Sequence, residues 1–334
     1  MNIEELIQNE RQFLALTSLY ATEFEELLLP FRHRWEQYFK HYKLRGKRRV
    51  KPLTDKELAR FTKKLPRVRQ KLFFILYFFK NNHLQESLAA QFDLSQSQVS
   101  RWIKALLPIL EQSIVDLHLQ AASTADELVR LFRNRQQDPH ILATKSLHTD
   151  ATERPIQRNL DQATQQGDYS GKQHGHTLKN TIACGEDQFV HFAGFTHRGA
   201  IHDKAMIQEE LPHFKTLQEF DLWFSKDKGY QGYQPRGVHL LQPFKAQKKQ
   251  PLTPFQKQFN QWVSSIRVVS EHAIAGIKRC RIVKETLRYF DTHFRHQVFN
   301  IACGLHNFRV RSRPSYAPSA QAFRACMNLN LLPT

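Results

Sequence analysis

The feature that most limits how this chain can fold is a change of hydrophobic period part-way along it. Up to about residue 125, apolar residues recur every three or four positions, the spacing of helices that bury one face. The helical runs are ELIQNERQFLALTSLYATEFEELLLPF (5–31), KELARFTKKLPRVRQKLFFILYFFK (56–80) and the stretch from residue 85 to about 118. From about residue 141 the runs become short, apolar or alternating, and are broken by Gly, Asp and Asn, which marks strands. These are ATKSLHTDATE (143–153), HTLKNTIACG (176–185), DQFVHFAGFTHR (187–198), FDLWFSKD (220–227) and VHLLQPF (238–244). A helix is expected over about 203–214 and a long one over 259–283. Strands interleaved with helices in this order predict an α/β fold with a mixed sheet flanked by helices, preceded by an all-α domain. The expected division is a helical domain at 1–125, a polar linker at 126–142 containing RNRQQDPH (133–140), an α/β domain at 143–312, and a loosely ordered tail at 313–334.

Charge narrows the class of partner. Of the 334 residues, 49 are Lys or Arg and 31 are Asp or Glu, a net charge of +18. Such an excess favours an anionic polymer as ligand. A membrane is disfavoured, because the longest apolar run, LFFILYFF (72–79), falls far short of the ~20 residues a spanning helix needs. The start, MNIEELIQNERQF, is acidic and amphipathic rather than basic and then apolar, so no secretory leader is read there. The four cysteines (184, 280, 303, 326) are scattered, which supports neither a disulfide framework nor a structural zinc site and points to a reducing compartment. LRGKRRVK (44–51) holds five basic residues and no acid. It reads as a flexible basic arm, with Arg45, Lys47, Arg48 and Arg49 directed at phosphates, or as a merely solubilising loop.

QESLAAQFDLSQSQVSRWIKALLPIL (85–110) has the pattern of a helix-turn-helix, spanning about 85–106. Leu88 and Ala89 lie in a short first helix, Asp93 takes the turn, and Ser95 can cap the second helix. Val99, Trp102, Ile103 and Leu106 form the buried side of that second helix. Gln96, Ser97, Gln98, Arg101 and Lys104 are left to face DNA, where glutamine can read adenine and arginine can read guanine or phosphate.

In the second half, three carboxylates stand at positions where a site is usual. In HTDATE (148–153), Ser146, His148 and Asp150 share one strand face, and an aspartate in mid-strand is disfavoured unless that face lines a site. Asp227 closes FDLWFSKD (220–227), just after the apolar FDLWF, at the end of an interior strand. Glu271 lies on the long helix. On a wheel of 100° per residue, Arg267 and Lys278 fall roughly 40° and 20° from Glu271, opposite Trp262, Ile266, Val269, Ala273 and Ile277. Taken alone, Arg267 and Glu271 could be an ordinary surface pair at i,i+4. Oxygen ligands from separate elements are what two Mg²⁺ (or Mn²⁺) ions about 3.5–4 Å apart require for phosphoryl chemistry. Asp203, in GAIHDK, competes with Asp227 as the second acid; otherwise it would cap the helix it precedes. Lys172, His174, His176 and Lys179 follow the first acid and read either as contacts to the DNA backbone or as a basic strand edge.

Several segments together carry a family resemblance: LFFILYFFKNNHLQESLAAQFDLSQSQVSRW (72–102), HTDATERPIQR (148–158), DYSGKQHGHTLKN (168–180), GAIHDK (199–204), DKGYQG (227–232), RVVSEHAIAGIKR (267–279) and QVFNIACGLHNFRVR (297–311). With these, the chain resembles the DDE transposases of bacterial insertion sequences, of the insertion-sequence-five type and its Harbinger-like relatives. The resemblance implies an RNase H-like fold, with Asp150, Asp227 and Glu271 as a metal-binding catalytic triad using two ions. It implies binding to the terminal inverted repeats of a transposon, cleavage there, and transfer of the 3′-OH ends into target DNA by a homo-oligomer in the bacterial cytoplasm, associated with the nucleoid. Arg267 and Lys278 match an arginine–glutamate–lysine signature that contacts DNA near the cleaved end. Two departures are visible: Ser264 stands where that signature opens with tyrosine, and Ala151 stands where Asp-Gly-Thr is common, harmless only if the backbone there is extended. The rival readings are a DNA-binding protein derived from a transposase that no longer cuts, and a nuclease without strand transfer.

Overall fold

A computed structural model describes residues 3–54, 56–57, 64–135, 144–211, 218, 220–246 and 251–313. In chain order the helices before the first strand are α1 (Ile3–Gln8), α2 (Glu10–Thr17), α3 (Ala21–His41), α4 (Val68–Asn81), α5 (Gln85–Phe92), α6 (Gln96–Asp116) and α7 (Ala125–Arg135). Then follow β1 (Ser146–Pro155), α8 (Gln162–Asp168), β2 (Tyr169–Ser170), β3 (Gly175–Cys184), β4 (Val190–Ala193), β5 (His197–Arg198), α9 (Asp203–Glu210), β6 (Trp223–Ser225) and β7 (His239–Leu241). The last helices are α10 (Pro254–Ile277), α11 (Arg281–Lys284) and α12 (Thr292–Ser312). The chain forms two compact units. One holds the residues up to Gln120 together with Lys278–Leu287 and Gln297–Leu305; the other holds Ala121–Ile277, Arg288–His296 and the described residues from His306.

The first unit is helical and built around α4. Every residue of α4 from Lys71 to Phe79 is buried, so LFFILYFF is the centre of a helical core, apolar on all sides. Rings crowd against it: Phe13 lies 6.0 Å from Phe73, and Phe74 meets Phe92 edge-on at 5.0 Å. Lys71 is buried among them, donating to the carbonyls of Leu65 (2.7 Å) and Pro66 (3.1 Å) beneath the Trp35 ring. Burial pulls its ammonium pKa down to about 7. The expected run at 5–31 is three helices rather than one, because Asn9 caps α2 and Ser18 ends it in the left-handed region.

The helix-turn-helix forms as the sequence predicts. α5 ends at Asp93, which takes a left-handed φ of 52°, a conformation aspartate tolerates better than most residues. Ser95 caps α6 through its own oxygen and receives Gln98 in return, a reciprocal capping box. Val99, Trp102, Ile103 and Leu106 are buried.

The second unit is a mixed sheet with helices against it, in the order β2-β3-β1-β6-β7, with β4 and β5 also pairing β3. β1 runs antiparallel to β3 and parallel to β6, and β6 runs parallel to β7. Alternation along β1 and β6 sends Leu147 and Phe224 into one core with Leu128, Phe132 and Ile207. On the other side, Leu241 and Trp223 pack against Ile266 and Trp262 of α10. Part of the expected linker is therefore a core element: α7 occupies 125–135, and residues 136–143 lie outside the described ones. The tail beyond Arg313 also lies outside them. Asn307 closes the edge of β4, accepting from the Val190 N–H (2.7 Å) and donating to its carbonyl (2.8 Å). Cys184, Cys280 and Cys303 are buried thiols.

Two predictions follow from these contacts. Ser95→Ala should lower stability by about 1 kcal/mol in denaturant unfolding, the usual cost of a lost N-cap. His197, hydrogen-bonded to buried Glu210 at 2.8 Å, has its pKa raised above the ordinary 6.5 by that bond, against the opposing effect of burial. Its contribution is thus full below the unfolded value and disappears as pH rises through the raised folded value. Unfolding midpoints measured across that window should fall with pH in the native chain, and fall less in His197→Gln.

Candidate active site

The geometry of the site starts from the pairing of β1 with β6. The parallel register sets Ser146 against Trp223, Leu147 against Phe224 and His148 against Ser225. Two residues beyond that pairing on each strand stand Asp150 and Asp227, and the charge of Asp227 is felt at Asp150. Asp150 shares the β1 face of Ser146 and His148. His148 is fully buried with Nε2 at 2.7 Å from Ser146 Oγ. Burial first, and then the charge of Arg267, pull its pKa down to about 3. It is a neutral support, not a base.

Asp150 is half-buried, and burial raises its pKa. The Ala151 N–H, 2.8 Å from Oδ1, and the charges of Arg267 and Lys172 oppose that rise, while Asp227 adds to it. Ala151 has no positive φ and pairs with Thr181 inside the β1–β3 ladder, so its replacement of glycine is harmless.

Arg267 sits differently from its expected place. Its side chain is only 14% exposed, and Nη1 lies 2.9 Å from Asp227 Oδ1. It is at the border of the buried stripe Phe259, Val263, Ile266, Ser270, Ala273 and Ile277, by which α10 packs over β1 and β3. It reaches sideways to the second acid instead of outward to solvent or back to Glu271. Glu271 is exposed, one turn further along the same side of α10. Lys278 lies in the turn directly after α10, which ends at Ile277.

Asp203 is engaged elsewhere. His202 caps α9, and Asp203 binds Lys179 Nζ at 3.1 Å; Lys179 also donates to the Ile201 carbonyl and lies 3.7 Å from Glu153. Lys179 is 7% exposed, so this cation is an internal tie and not a DNA contact. Lys172 and His174 are exposed and His176 is half-buried. Two residues gain roles that sequence reasoning did not give them. Arg154 is buried and donates to the Arg295 carbonyl, Asn180 Oδ1 and Thr196 Oγ1. Tyr230, in DKGYQG, is buried, and its hydroxyl feels the charges of Asp150, Asp203, Asp227 and Glu210.

Two adjacent carboxylates, one of them desolvated, form a hard-oxygen donor set that suits Mg²⁺ or Mn²⁺. Such ions take one or two protein carboxylates and fill the remainder with water and substrate phosphate. Among the described residues no three His, Cys, Asp or Glu side chains group closely enough to hold a metal ion together. Glu271 therefore does not join the aspartate pair in this structure.

On the helical unit, Gln96 and Lys104 are exposed, and Gln96 is held by Gln85 at 2.6 Å. Gln98 differs from expectation, because its side-chain oxygen is spent on the Ser95 N–H. Arg101 bonds back to the Ser97 carbonyl at 2.9 Å. The basic segment is no loose arm. Tyr42 bridges Arg48, Lys43 N–H donates to the Lys47 carbonyl, and Arg49 N–H donates to that of His41. Gly46, with φ of 77°, makes the turn. Arg49 is spent on the Phe39 carbonyl and ring, while Arg45, Lys47 and Arg48 are exposed.

No described helix is long and apolar enough to cross a membrane. Residues 149–307 match the DDE superfamily endonuclease family, and residues 63–116 match the helix-turn-helix of DDE superfamily endonucleases. A probable transposase for insertion sequence element IS702 from Microchaete diplosiphon is 29% identical over 167 residues, 48% of this chain. The chain spans 56% of that relative's length. No solved structure matches. These matches reach the superfamily and not a branch within it. Asp150 and Asp227 thus lie within a match to the DDE superfamily endonucleases, and α4 to α6 lie within a match to that superfamily's own helix-turn-helix.

Proposed function

We propose that the protein is a DNA transposase that binds the terminal inverted repeats of its element, cuts phosphodiester bonds there and joins the freed 3′-OH ends to target DNA. The observation that carries this reading is that Asp150 and Asp227 each stand two residues beyond the parallel β1–β6 pairing, with the charges of Asp227 and Arg267 both reaching Asp150, on a strand that α10 packs against. Asp150 and Asp227 would hold divalent ions, with Glu271 as the third carboxylate. When bound, the ions supply Lewis acidity and a nucleophile at neutral pH.

The chain's own residues do the rest. Arg267 fixes the Asp227 carboxylate in orientation and offsets the repulsion between the two acids. His148, kept neutral and bonded to Ser146, supports β1 beneath Asp150 without competing for a proton. Lys172, exposed and within electrostatic reach of Asp150, is placed to meet a phosphate. Water attacks the phosphodiester at the element's end and the 3′-hydroxyl leaves; that hydroxyl then attacks a target phosphodiester and displaces a second 3′-oxygen. Two ends must be brought together, so a homo-oligomer on DNA, working at the nucleoid in the cytoplasm, belongs to the same proposal. Lys278 enters it only as a DNA contact from the turn after α10.

Pre-cut ends and a plasmid target supplied with Mg²⁺ separate the outcomes. Joined product supports the proposal, cutting alone leaves a nuclease, and binding alone leaves a non-cutting DNA-binding protein. Asp150→Asn, Asp227→Asn and Glu271→Gln should each remove cutting while leaving DNA binding in place. Asp203→Asn should keep cutting, since that carboxylate is matched to Lys179; cutting lost in Asp203→Asn but kept in Asp227→Asn would exchange their roles. Arg267→Ala should lower cleavage roughly 10–100-fold, the usual effect of removing a partner that orients a ligand, with Arg267→Lys recovering part of it and duplex affinity changing little.

A further inference from the structure

The helical unit has a cleft of about 560 Å³ between the basic hairpin and α6. Tyr38 of α3 forms its floor, Arg45 stands on the hairpin side, and Ser97, Ser100, Arg101 and Lys104 stand on the α6 side. Three of these residues are cations, from two different elements, and among the described residues no carboxylate lines the cleft. The walls are fixed in place. The hairpin is closed by the Lys43–Lys47 and Arg49–His41 backbone bonds and anchored by Arg49 on Phe39. Tyr38 stacks on Tyr42 at 5.3 Å, and Arg101 is tied to Ser97. A pre-organised, open cleft of one sign of charge, edged with hydroxyl and guanidinium donors, matches a run of phosphodiesters.

We infer that this cleft takes the sugar–phosphate backbone of one duplex strand, so that the hairpin and α6 act as a single DNA-binding surface. Gln96, at the N-terminal end of α6, also lines the cleft, which places the backbone grip next to the position from which a base edge would be read. The division of labour within LRGKRRVK follows: Arg45 grips phosphate, Arg49 holds the hairpin to α3, and Lys47 and Arg48 lie outside the cleft. This inference rests on the DNA-binding part of the proposed function and adds where the backbone lies.

The test is the salt dependence of binding to a duplex of arbitrary sequence, read by fluorescence anisotropy with the full chain. Each phosphate contact removed should flatten the slope of log K against log salt by about 1. Arg45→Gln and Lys104→Gln should each do so, and unfolding midpoints should stay at the native value, while Arg11→Gln, an exposed cation on α2 outside the cleft, should leave the slope as it is. Slopes for the two cleft variants that match that of Arg11→Gln would overturn the inference while leaving DNA binding intact. A native chain that binds no duplex at low salt would overturn both this inference and the DNA-binding reading beneath it.

Discussion

The second unit depends on the parallel pairing of β1 with β6. That one register decides three things together. It sends Leu147 and Phe224 into the same core, it leaves the Ser146–His148–Asp150 face for α10 to cover, and it brings Asp150 within electrostatic reach of Asp227. Like charges at that spacing in a partly desolvated place repel, and burial already disfavours the charge on Asp150. The arrangement is tenable because α10 crosses at the height where Arg267 meets Asp227. The height of α10 is set in turn by its buried stripe, from Phe259 to Ile277 at alternating steps of four and three. Packing of an apolar stripe thus fixes the countercharge of a polar site.

The helical unit works by a parallel logic. α4 is buried on every side, so α3, α5 and α6 are arranged around it. The short turn at Asp93 then leaves the N-terminal residues of α6 at the surface. The basic hairpin is attached to α3 by backbone bonds and by one arginine withdrawn from the surface, and this leaves Arg45 across a cleft from Arg101 and Lys104. In both units a cation that a charge count would send to solvent or DNA is used internally. Lys71 and Lys179 are buried, and Arg49 and Arg154 are bound to carbonyls. The net charge of +18 therefore overstates the cations available to a ligand.

The helix-turn-helix was readable because its signals are local: a residue tolerant of left-handed φ at 93, a cap at 95, and buried positions at helical spacing. Asp150 and Asp227 stand out as candidates because alternation along β1 and the apolar run ahead of Asp227 are also local. The errors have physical causes. A helical wheel gives the direction in which a side chain leaves the backbone, but arginine is long enough to finish well to one side, as Arg267 does. Nothing between 259 and 283 breaks a helix by propensity, yet α10 stops at Ile277 and a new short helix starts at Arg281. α7 was passed over because its polar surroundings resemble a linker. Its signal was nevertheless present: Thr124 and Glu127 form a cap, and Leu128, Leu131 and Phe132 follow at helical spacing.

By itself, then, the sequence determined the class of the protein: an all-helical half with a helix-turn-helix, an α/β half with carboxylates at strand ends, and a charge suited to nucleic acid. Those properties reside in short windows, where propensity, period and capping act between near neighbours. Only the tertiary structure decided which acids stand together, which of them already has a counter-ion, and which cations remain for DNA. Asp150 and Asp227 are 77 residues apart in the chain, yet each stands two residues beyond the same strand pairing; Asp203 lies between them in sequence and is bound to Lys179 instead. Charge pairing is decided by distance in space, and for these residues the packing of the sheet sets that distance.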